Sequence, residues 1–377
     1  MKREEKVYAV IFTVIFLIII SVPLLNGPFI FFKDRQISQF ENRNLATKPQ
    51  FDLALMDPFP KKYEDYYNDH FPWREEMIGQ YTLFNFFVNH KSGVPGMVAV
   101  GKNNWLFLEQ KERMVYRGDT LYTAAEITQM AKYLRKRTEW HQARGIHFYV
   151  SILPLKQEIY PEYLPANYRR GKMGTMTDKI IEAIKQEGGI NFIEMKPALL
   201  AAKTNGQLFC KTDNHWNMRG AFYAYRTIIE RVKKDFPKVG FPSEKDVVYK
   251  DTLRYGGNLA NMLNLAEYLK EEVPVETIRN RRAKWVAPAG YHLEEPFETD
   301  YERTTETNDT TLPRAVIIHD SFTLSMIPYL SENFCRSVFF FDRWHYDYQT
   351  EIIEKEKPNV VLLLIYEPHI NNLLDGF

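Results

Sequence analysis

Short apolar runs alternate with helix-forming segments along most of the chain, and this alternation limits the possible fold more than any other feature. The apolar runs have the length of buried strands, and the longer segments between them carry apolar residues at helical spacing. Strands that alternate with helices form a mostly parallel sheet with helices on both faces. We therefore predict an α/β fold of three layers. The predicted strands are residues 146–153, 190–193, 315–318, 337–341 and 359–365, and the predicted helices are residues 124–144, 177–186, 217–236, 322–333 and 349–356.

The first 32 residues differ from the rest of the chain. No side chain from Val7 to Phe32 is charged, and residues 7–25 are apolar enough to cross a bilayer core that needs about 20 helical residues. We predict an N-terminal transmembrane helix, with an anchor over residues 1–32 and residues 7–25 in the lipid bilayer. A cleaved signal peptide is the alternative, but bulky residues stand where small ones would mark a cleavage site. Basic residues on both flanks leave the orientation open.

Behind the anchor we expect a tether and one large domain. Residues 33–68 contain many turn formers and end in a helix near residues 61–68, as a tether would. Residues 69–377 are long enough to bury the core of one α/β domain. Residues 270–313 interrupt the alternation with polar residues and threonines, and we predict an irregular insertion of short strands and loops there that forms a rim over the site.

Charge and cysteine content exclude several classes of protein. The 49 basic residues balance 48 acidic residues, and a net charge of +1 argues against a nucleic-acid binder with a basic face. Two cysteines, Cys210 and Cys335, are too few for a disulfide framework. We expect two free buried thiols, with a single bridge as the alternative. We predict no metal, because the one Asp-x-His motif has no third ligand at a recognisable spacing, and no other cofactor.

Two segments contain the residue types of a serine hydrolase. Residues 211–217, KTDNHWN, carry Asp213 two positions before His215, and residues 317–322, IIHDSF, carry Ser321 directly after a predicted strand. A serine hydroxyl needs an imidazole to take its proton and a carboxylate to orient that imidazole. In an extended segment Asp213 and His215 would point to the same side. These three residues are therefore the candidate nucleophile, base and orienting acid. At the start of a helix, Ser321 would also hold an oxyanion near free N–H groups.

Each of these segments also has a simpler interpretation. Asp-Ser before a helix is most often an N-cap, and Asp213 or Asn217 is a good first residue for the helix that follows. His215 would then be an ordinary surface residue. Both interpretations stay open at the level of the sequence.

Three further residues are candidates for binding the substrate or an oxyanion. The N–H groups around Gly257 and the amide of Asn258 are suitable oxyanion donors, although a plain turn is the simpler interpretation. Lys156 has the charge to meet an anionic sugar, with an ordinary surface charge as the alternative. None of the three stands in a motif that decides its role.

The ordered motifs together resemble those of the alginate O-acetyltransferases of the AlgJ/AlgX type and of the related DHHW proteins. The resemblance spans roughly residues 60–370. His319 departs from it, since the family has glycine before Asp-Ser. The motifs that carry the resemblance are residues 69–74 (DHFPWR), 101–107 (GKNNWLF), 154–156 (PLK), 159–165 (IYPEYLP), 212–216 (TDNHW) and 320–322 (DSF).

This resemblance implies an SGNH-hydrolase-like domain in which Ser321 is the nucleophile, His215 the base and Asp213 its orienting acid. It implies transfer of acetyl groups to hydroxyls of an exported polysaccharide, outside the cytoplasm and beside a membrane-bound O-acyltransferase that supplies the acetyl group. Two other functions stay open. One is a carbohydrate acetylesterase that uses the same three residues, and the other is a non-catalytic scaffold or glycan-binding subunit of an export complex.

Overall fold

The chain divides into two compact units. The N-terminal unit comprises Met1–Gly93 with Asn261–Leu265, and the main unit comprises Val94–Ala260 with Ala266–Phe377. The domain boundaries predicted at residues 33 and 69 stay predictions. The structure, a computed structural model, describes residues 7–18, 21, 37–38, 43–51, 57–70, 74–119, 121–172, 174–242, 246–288, 290–291, 302–341 and 350–374.

The N-terminal unit contains one short strand pair and two described helices of more than ten residues after it. Strand β1 (Ile37–Ser38) pairs antiparallel with β2 (Arg43–Asn44). A helix over Phe59–Asp69 confirms the helix predicted near residues 61–68, and it begins with a proline in its first turn, where the missing N–H is not needed. The second helix spans Arg74–Phe87.

Only part of the predicted membrane anchor falls on residues that the structure describes. Residues 7–18 are helical, and their side chains are exposed. Among the described residues, no helix is both long enough and apolar enough to cross a membrane. The rest of the anchor predicted over residues 1–32 lies outside the described residues, apart from residue 21.

A seven-stranded mixed sheet forms the centre of the main unit. Its first five strands run parallel to one another, and the last two are antiparallel additions at one edge. Two separate strand pairs, both antiparallel, are β3 (Val98–Val100) with β4 (Leu106–Leu108) and β7 (Val247–Arg254) with β8 (Glu271–Ile278). In spatial order the main sheet contains β6 (Asn191–Phe192), β5 (His147–Leu153), β13 (Val360–Tyr366), β11 (Arg314–His319), β12 (Arg336–Phe341), β10 (Glu302–Glu306) and β9 (Lys284–Val286).

Residues 270–313, predicted as an irregular insertion of short strands and loops, supply β8 and two strands at the edge of the main sheet, β9 and β10. The rim over the site stays a prediction. Strand β10 has the sequence ERTTE, in which Thr304 and Thr305 are buried. Threonine suits a strand because it is β-branched, but its polarity hides the strand from a search for apolar runs.

Helices cover both faces of the main sheet, as predicted. Successive side chains of a strand point to opposite faces, and Phe148 and Tyr149 are neighbours in β5. The Phe148 ring stacks at 4.4 Å on His141 of the helix Ala124–Gln142, and the Tyr149 hydroxyl donates to Asp235 of the helix Met218–Asp235 at 2.6 Å. These two helices therefore lie on opposite faces, which gives three layers.

Four of the five helices predicted in the main unit lie within a few residues of their predicted positions. The exception is the helix predicted over residues 322–333, which is broken into a 3-10 turn at Ser321–Ser325, an α-helix at Ile327–Leu330 and a 3-10 turn at Ser331–Asn333. Pro328 has no N–H to continue a helix that begins before it. The remaining helices span Gln110–Arg117, Ala124–Gln142, Lys156–Ile159, Met176–Glu187, Lys196–Ala202, Met218–Asp235, Asn258–Met262 and Thr350–Glu356.

Both cysteines are free. Cys210 and Cys335 are each half-buried rather than fully buried, and neither is in a disulfide. Burial raises the pKa of both thiols above the ordinary value, which keeps them protonated at neutral pH.

Candidate active site

A tight loop carries Asp213 and His215. Phe209 and Trp216 form an antiparallel bridge at its base, and the Asn217 N–H donates to the Leu208 carbonyl at 2.8 Å. The segment between is bent rather than extended. Asp213 Oδ1 accepts the backbone N–H of His215 at 2.9 Å, the side-chain turn for which aspartate is suited.

Asp213, His215 and Ser321 form a continuous series of hydrogen bonds. His215 Nδ1 lies 2.7 Å from Asp213 Oδ1, and His215 Nε2 lies 2.8 Å from Ser321 Oγ. A carboxylate oxygen only accepts hydrogen bonds, so Nδ1 carries the ring proton and Nε2 accepts the hydroxyl proton of Ser321. The His215 and Asp213 side chains are 29% and 22% exposed, and a substrate can therefore reach the series from solvent. The arrangement suits transfer of a proton from Ser321 to His215.

Ser321 lies at the carboxyl end of a central parallel strand, where ligands bind in folds of this kind. It follows β11 and begins the 3-10 turn Ser321–Ser325. The buried Asp320 side chain caps this turn by accepting the Phe322 N–H at 2.9 Å. Asp320 therefore fulfils the capping role that the sequence left open, and the Ser321 hydroxyl turns to His215.

Two aromatic residues, Trp216 and Phe322, hold the loop that carries Asp213 and His215 against the 3-10 turn Ser321–Ser325. The His215 ring packs on Phe322, with ring centroids 4.6 Å apart. The indole N–H of the buried Trp216 donates to the Phe322 carbonyl and to Ser325 Oγ, both at 2.9 Å. These contacts fix the distance between the two segments of the site.

The carboxyl of Asp213 is ionised at neutral pH. Burial raises its pKa, but the hydrogen bond from the His215 ring, the electrostatic attraction to that ring and the N–H groups of Asn258 and His215 lower it by more. The net result is a pKa below the ordinary value. Asp213 is therefore charged when it accepts the Nδ1 proton.

Gly257 and Asn258 lie beside Asp213. The Gly257 N–H donates to Thr212 Oγ1 at 2.8 Å, and the Asn258 N–H donates to Asp213 Oδ2 at 2.9 Å. The Asn258 amide donates to the Asn214 side chain at 2.6 Å and accepts the Asn214 N–H at 3.1 Å. These hydrogen bonds hold the loop around Asp213, and the oxyanion role of Gly257 and Asn258 stays a prediction.

Lys156 is not the surface charge that the sequence suggested. It is only 2% exposed, and its Nζ donates to three carbonyl oxygens, those of Leu106 at 2.7 Å, Lys211 at 2.9 Å and Asp213 at 2.9 Å. All three protons of an ammonium group are thereby used. In this arrangement Lys156 holds backbone and has no free donor for an anionic sugar.

One residue of the site escaped prediction altogether. Glu271 begins β8, within the segment predicted to be irregular, and its carboxylate accepts the N–H groups of Lys211 at 2.6 Å and Thr212 at 3.0 Å, as well as the Thr212 hydroxyl. Nothing in the local sequence signals this contact, because Glu271 lies far along the chain from the loop that it holds.

His319, the departure from the family motif, is buried two positions before Ser321. Its Nδ1 donates to the Asp320 carbonyl at 2.7 Å, and its ring packs edge-on against Phe339 and Phe341. Burial lowers its pKa to about 4, so the ring is neutral at pH 7. In the part of the chain that the structure describes, no three His, Cys, Asp or Glu side chains are grouped to hold a metal ion.

The fold and the site together define a class of protein. A three-layer α/β domain with a serine at the carboxyl end of a central strand, and an Asp-x-His loop beside it, has the plan of an SGNH-hydrolase-like domain. Residues 98–296 match a family described as "SGNH hydrolase-like domain, acetyltransferase AlgX". The chain belongs to this family, and the resemblance to the AlgJ/AlgX type is confirmed. Asp213 and His215 lie within the matched residues, and Ser321 lies beyond them.

Curated relatives agree with this family. The chain is 26% identical over 231 residues to a protein of Pseudomonas syringae pv. tomato named "Probable alginate O-acetylase AlgJ", which covers 61% of this chain and 57% of that protein. A protein of the same name from Azotobacter vinelandii is 26% identical over 246 residues, covering 61% and 58%. The chain thus spans less than two thirds of the length of these relatives.

Solved structures share the fold. PatB1 of Bacillus cereus superimposes with a TM-score of 0.53 at 17% identity, covering 73% of this chain and 97% of that one. A DHHW family protein of Eubacterium siraeum superimposes with a TM-score of 0.51 at 16% identity, covering 74% and 99%.

Proposed function

We propose that the protein is an O-acetyltransferase that moves an acetyl group through an acetyl-serine onto a polysaccharide hydroxyl. The observation that carries the proposal is the hydrogen-bonded series from Asp213 through His215 to Ser321. Family membership and the names of the curated relatives support acetyl transfer as the reaction.

The reaction has two halves that use the same three residues. Ser321 Oγ attacks the acetyl carbonyl while His215 Nε2 takes the hydroxyl proton, and the leaving group departs with that proton. A sugar hydroxyl then attacks the acetyl-serine, again giving its proton to His215, which returns it to Ser321 Oγ. Asp213 keeps the Nδ1 proton in place and stabilises the imidazolium formed in each half.

The acceptor and the location follow from the relatives and from the N-terminal sequence. The name alginate O-acetylase in the relatives supports an exported polysaccharide as acceptor. The uncharged run from Val7 to Phe32 supports a membrane anchor in the lipid bilayer, with the main unit outside the cytoplasm, in the periplasm or at the cell exterior. In this setting a membrane-bound O-acyltransferase supplies the acetyl group.

Intact-mass spectrometry tests the proposal directly. We expect the full chain, in detergent and mixed with 4-nitrophenyl acetate, to gain one acetyl group that Ser321→Ala does not gain. His215→Ala and Asp213→Ala should slow acylation by at least about 1,000-fold, because each leaves the hydroxyl without its base or with a misoriented base. Circular dichroism confirms that each variant is folded.

The fate of the acetyl group separates this function from the alternatives. Discharge that is faster with alginate or another polysaccharide than with water alone supports a transferase. Discharge by water at the same rate with and without the acceptor points to an acetylesterase. A folded protein that never gains an acetyl group contradicts catalysis and favours a scaffold or glycan-binding subunit.

A further inference from the structure

The backbone that carries Asp213 is held from one side by a buried lysine. Lys156 Nζ donates to the carbonyls of Lys211 and Asp213, both at 2.9 Å, and to the carbonyl of Leu106 in β4 at 2.7 Å. Its ammonium group also lies over the Trp105 ring, 4.9 Å from the centroid. A single ammonium group, that of Lys156, therefore joins the loop that carries Asp213 to the β3–β4 pair.

A buried carboxylate holds the same backbone through its N–H groups. Glu271, which is 8% exposed, accepts the N–H groups of Lys211 and Thr212 and the Thr212 hydroxyl. The Thr212 hydroxyl in turn accepts the Gly257 N–H at 2.8 Å. Lys156 donates to backbone carbonyls, and Glu271 accepts from backbone N–H groups. Together the two side chains hold residues 211–213 through both kinds of backbone group.

Both side chains are buried, and burying an ion is costly unless hydrogen bonds compensate for the lost water. Burial lowers the pKa of Lys156 to about 8, although the carboxylates of Glu271 and Asp213 oppose this shift. Buried ions are weak support for stability alone, and the backbone groups that these two ions hold are those of residues 211–213. The geometry specified here is that of the acid in the hydrogen-bonded series.

We infer that Lys156 and Glu271 are positioning residues that fix the Asp213 backbone, and through it the orientation of the His215 ring toward Ser321. This inference rests on the proposed function for its catalytic consequence. Its structural content, the orientation of the His215 ring, is measurable without any substrate. A displacement of about 1 Å in a catalytic group costs on the order of 100-fold in rate.

The test compares Lys156→Met and Glu271→Gln with the matched control Lys203→Met in the full chain in detergent. Lys203 is a partly buried lysine. Like Lys156 it donates to a carbonyl, that of Ile159 at 2.7 Å, but it does not touch residues 211–213. The readouts are the saturation curve of acylation by 4-nitrophenyl acetate and the low-field proton resonance of His215 Nδ1–H, assigned with 15N-histidine labelling.

We expect Lys156→Met to lower the maximal acylation rate about 100-fold, with the half-saturating ester concentration within about two-fold of the parent value. The Nδ1–H resonance should shift or disappear, Glu271→Gln should act in the same direction, and Lys203→Met should change neither readout. A folded Lys156→Met with the parent rate and resonance overturns the inference. If Lys156→Met does not fold, Glu271→Gln decides by the same criteria.

The two proposals fail in different ways. A parent protein that never gains an acetyl group contradicts the proposed function, but the Nδ1–H resonance still reports whether Lys156 and Glu271 orient His215. Conversely, normal acylation in the parent together with unchanged readouts in both variants removes the positioning role and leaves the proposed function intact.

Discussion

At the scale of single residues, Gly257 shows how closely the loop that carries Asp213 is packed. A Cβ atom built at Gly257 would lie 2.5 Å from Asp213 Oδ2 and 2.6 Å from Asp213 Cβ. The whole Asp213 side chain, including its Cβ, would therefore have to move. We expect Gly257→Ala to lower the acylation rate by about ten-fold or more, because the carboxylate would no longer meet His215 Nδ1. Acylation kinetics by intact mass check this.

A second glycine supplies the control for Gly257. A Cβ atom at Gly240 meets nothing within 4 Å, and its backbone does not require glycine. Gly240→Ala should therefore keep the parent acylation rate. Equal rates for Gly257→Ala and the parent would show that the loop tolerates the displacement.

The three candidate catalytic residues were recognised in the sequence because acid and base stand two positions apart in one short motif. Lys156 and Asn258 were also singled out, but their contacts were not foreseen. Whether a lysine lies at the surface or under a loop depends on segments far away in the chain, here the β3–β4 pair and the loop at Lys211. Local sequence carries no record of such contacts, and Glu271 was missed for the same reason.

At the scale of elements, Trp216 joins the loop that carries Asp213 and His215 to the 3-10 turn Ser321–Ser325. We expect Trp216→Phe to keep most of the ring volume but to leave the Phe322 carbonyl and Ser325 Oγ without their donor. The loss should lower the free energy of unfolding by about 1–3 kcal/mol and slow acylation. Urea unfolding measures the first effect. Trp285→Phe, at a side chain that is 51% exposed, should change stability by less than about 0.5 kcal/mol.

The helix Gln110–Arg117 carries a buried acid that links two other elements. Glu112 accepts from Gln157 of the helix Lys156–Ile159 at 2.6 Å and from the Tyr366 hydroxyl at the end of β13. Burial raises the pKa of Glu112 from 4.5 to about 8, against the opposing effects of Gln157, the Lys156 charge and Asn214. In the folded protein Glu112 therefore keeps its proton at neutral pH.

This raised pKa makes stability depend on pH. Between pH 4.5 and about 8 the folded protein holds a proton on Glu112 that the unfolded chain releases, so this contribution is complete below pH 4.5 and is lost as the pH rises through about 8. Glu112→Gln should reduce the fall in unfolding free energy by at most about 1.4 kcal/mol per pH unit. Urea unfolding across this range measures it. Parallel curves for the parent and Glu112→Gln would contradict the assignment, and the exposed Glu139→Gln is the control.

Element type was predictable wherever one pattern dominated the segment. Apolar runs identified β5, β11, β12 and β13, and helical spacing identified the helix Ala124–Gln142, in which Thr123 caps the first turn by accepting the Glu126 N–H at 3.2 Å. Strand β10 is hidden from a search for apolar runs because its buried residues are Glu302, Thr304 and Thr305. The helix after Ser321 was predicted as one piece because its spacing continues past Pro328, although Pro328 has no N–H to join the 3-10 turn before it to the α-helix Ile327–Leu330.

At the scale of the whole molecule, the proposed anchor predicts where the protein resides. We expect the full chain to sediment with membranes, because residues 7–25 would bury their apolar side chains in the bilayer. Val14→Lys together with Leu17→Lys should move it to the soluble fraction, since each lysine costs about 2.5–3.5 kcal/mol in mid-membrane. Fractionation followed by immunoblotting measures this. A parent chain in the soluble fraction would contradict the anchor.

The order of strands in the main sheet was beyond reach of the sequence. Alternation predicted parallel strands, but it does not tell which strand lies in the centre or which segment closes an edge. Those choices depend on long-range packing, and the antiparallel pairing of β10 with β12 joins two segments that look unlike one another. The class of fold was therefore predictable, whereas the arrangement that brings β5, β11 and β13 together was not.

The place of β13 in the sheet also determines when the protein can finish folding. This strand lies between β5 and β11, yet it is synthesised roughly 200 residues after β5, with which it pairs from Val360 to Tyr366. As the chain leaves the ribosome, β5 and β11 have no direct neighbour in common until β13 appears. Folding of the sheet is therefore held back until Tyr366 has been made, and a nascent chain that stops short of β13 lacks the strand that joins β5 to β11.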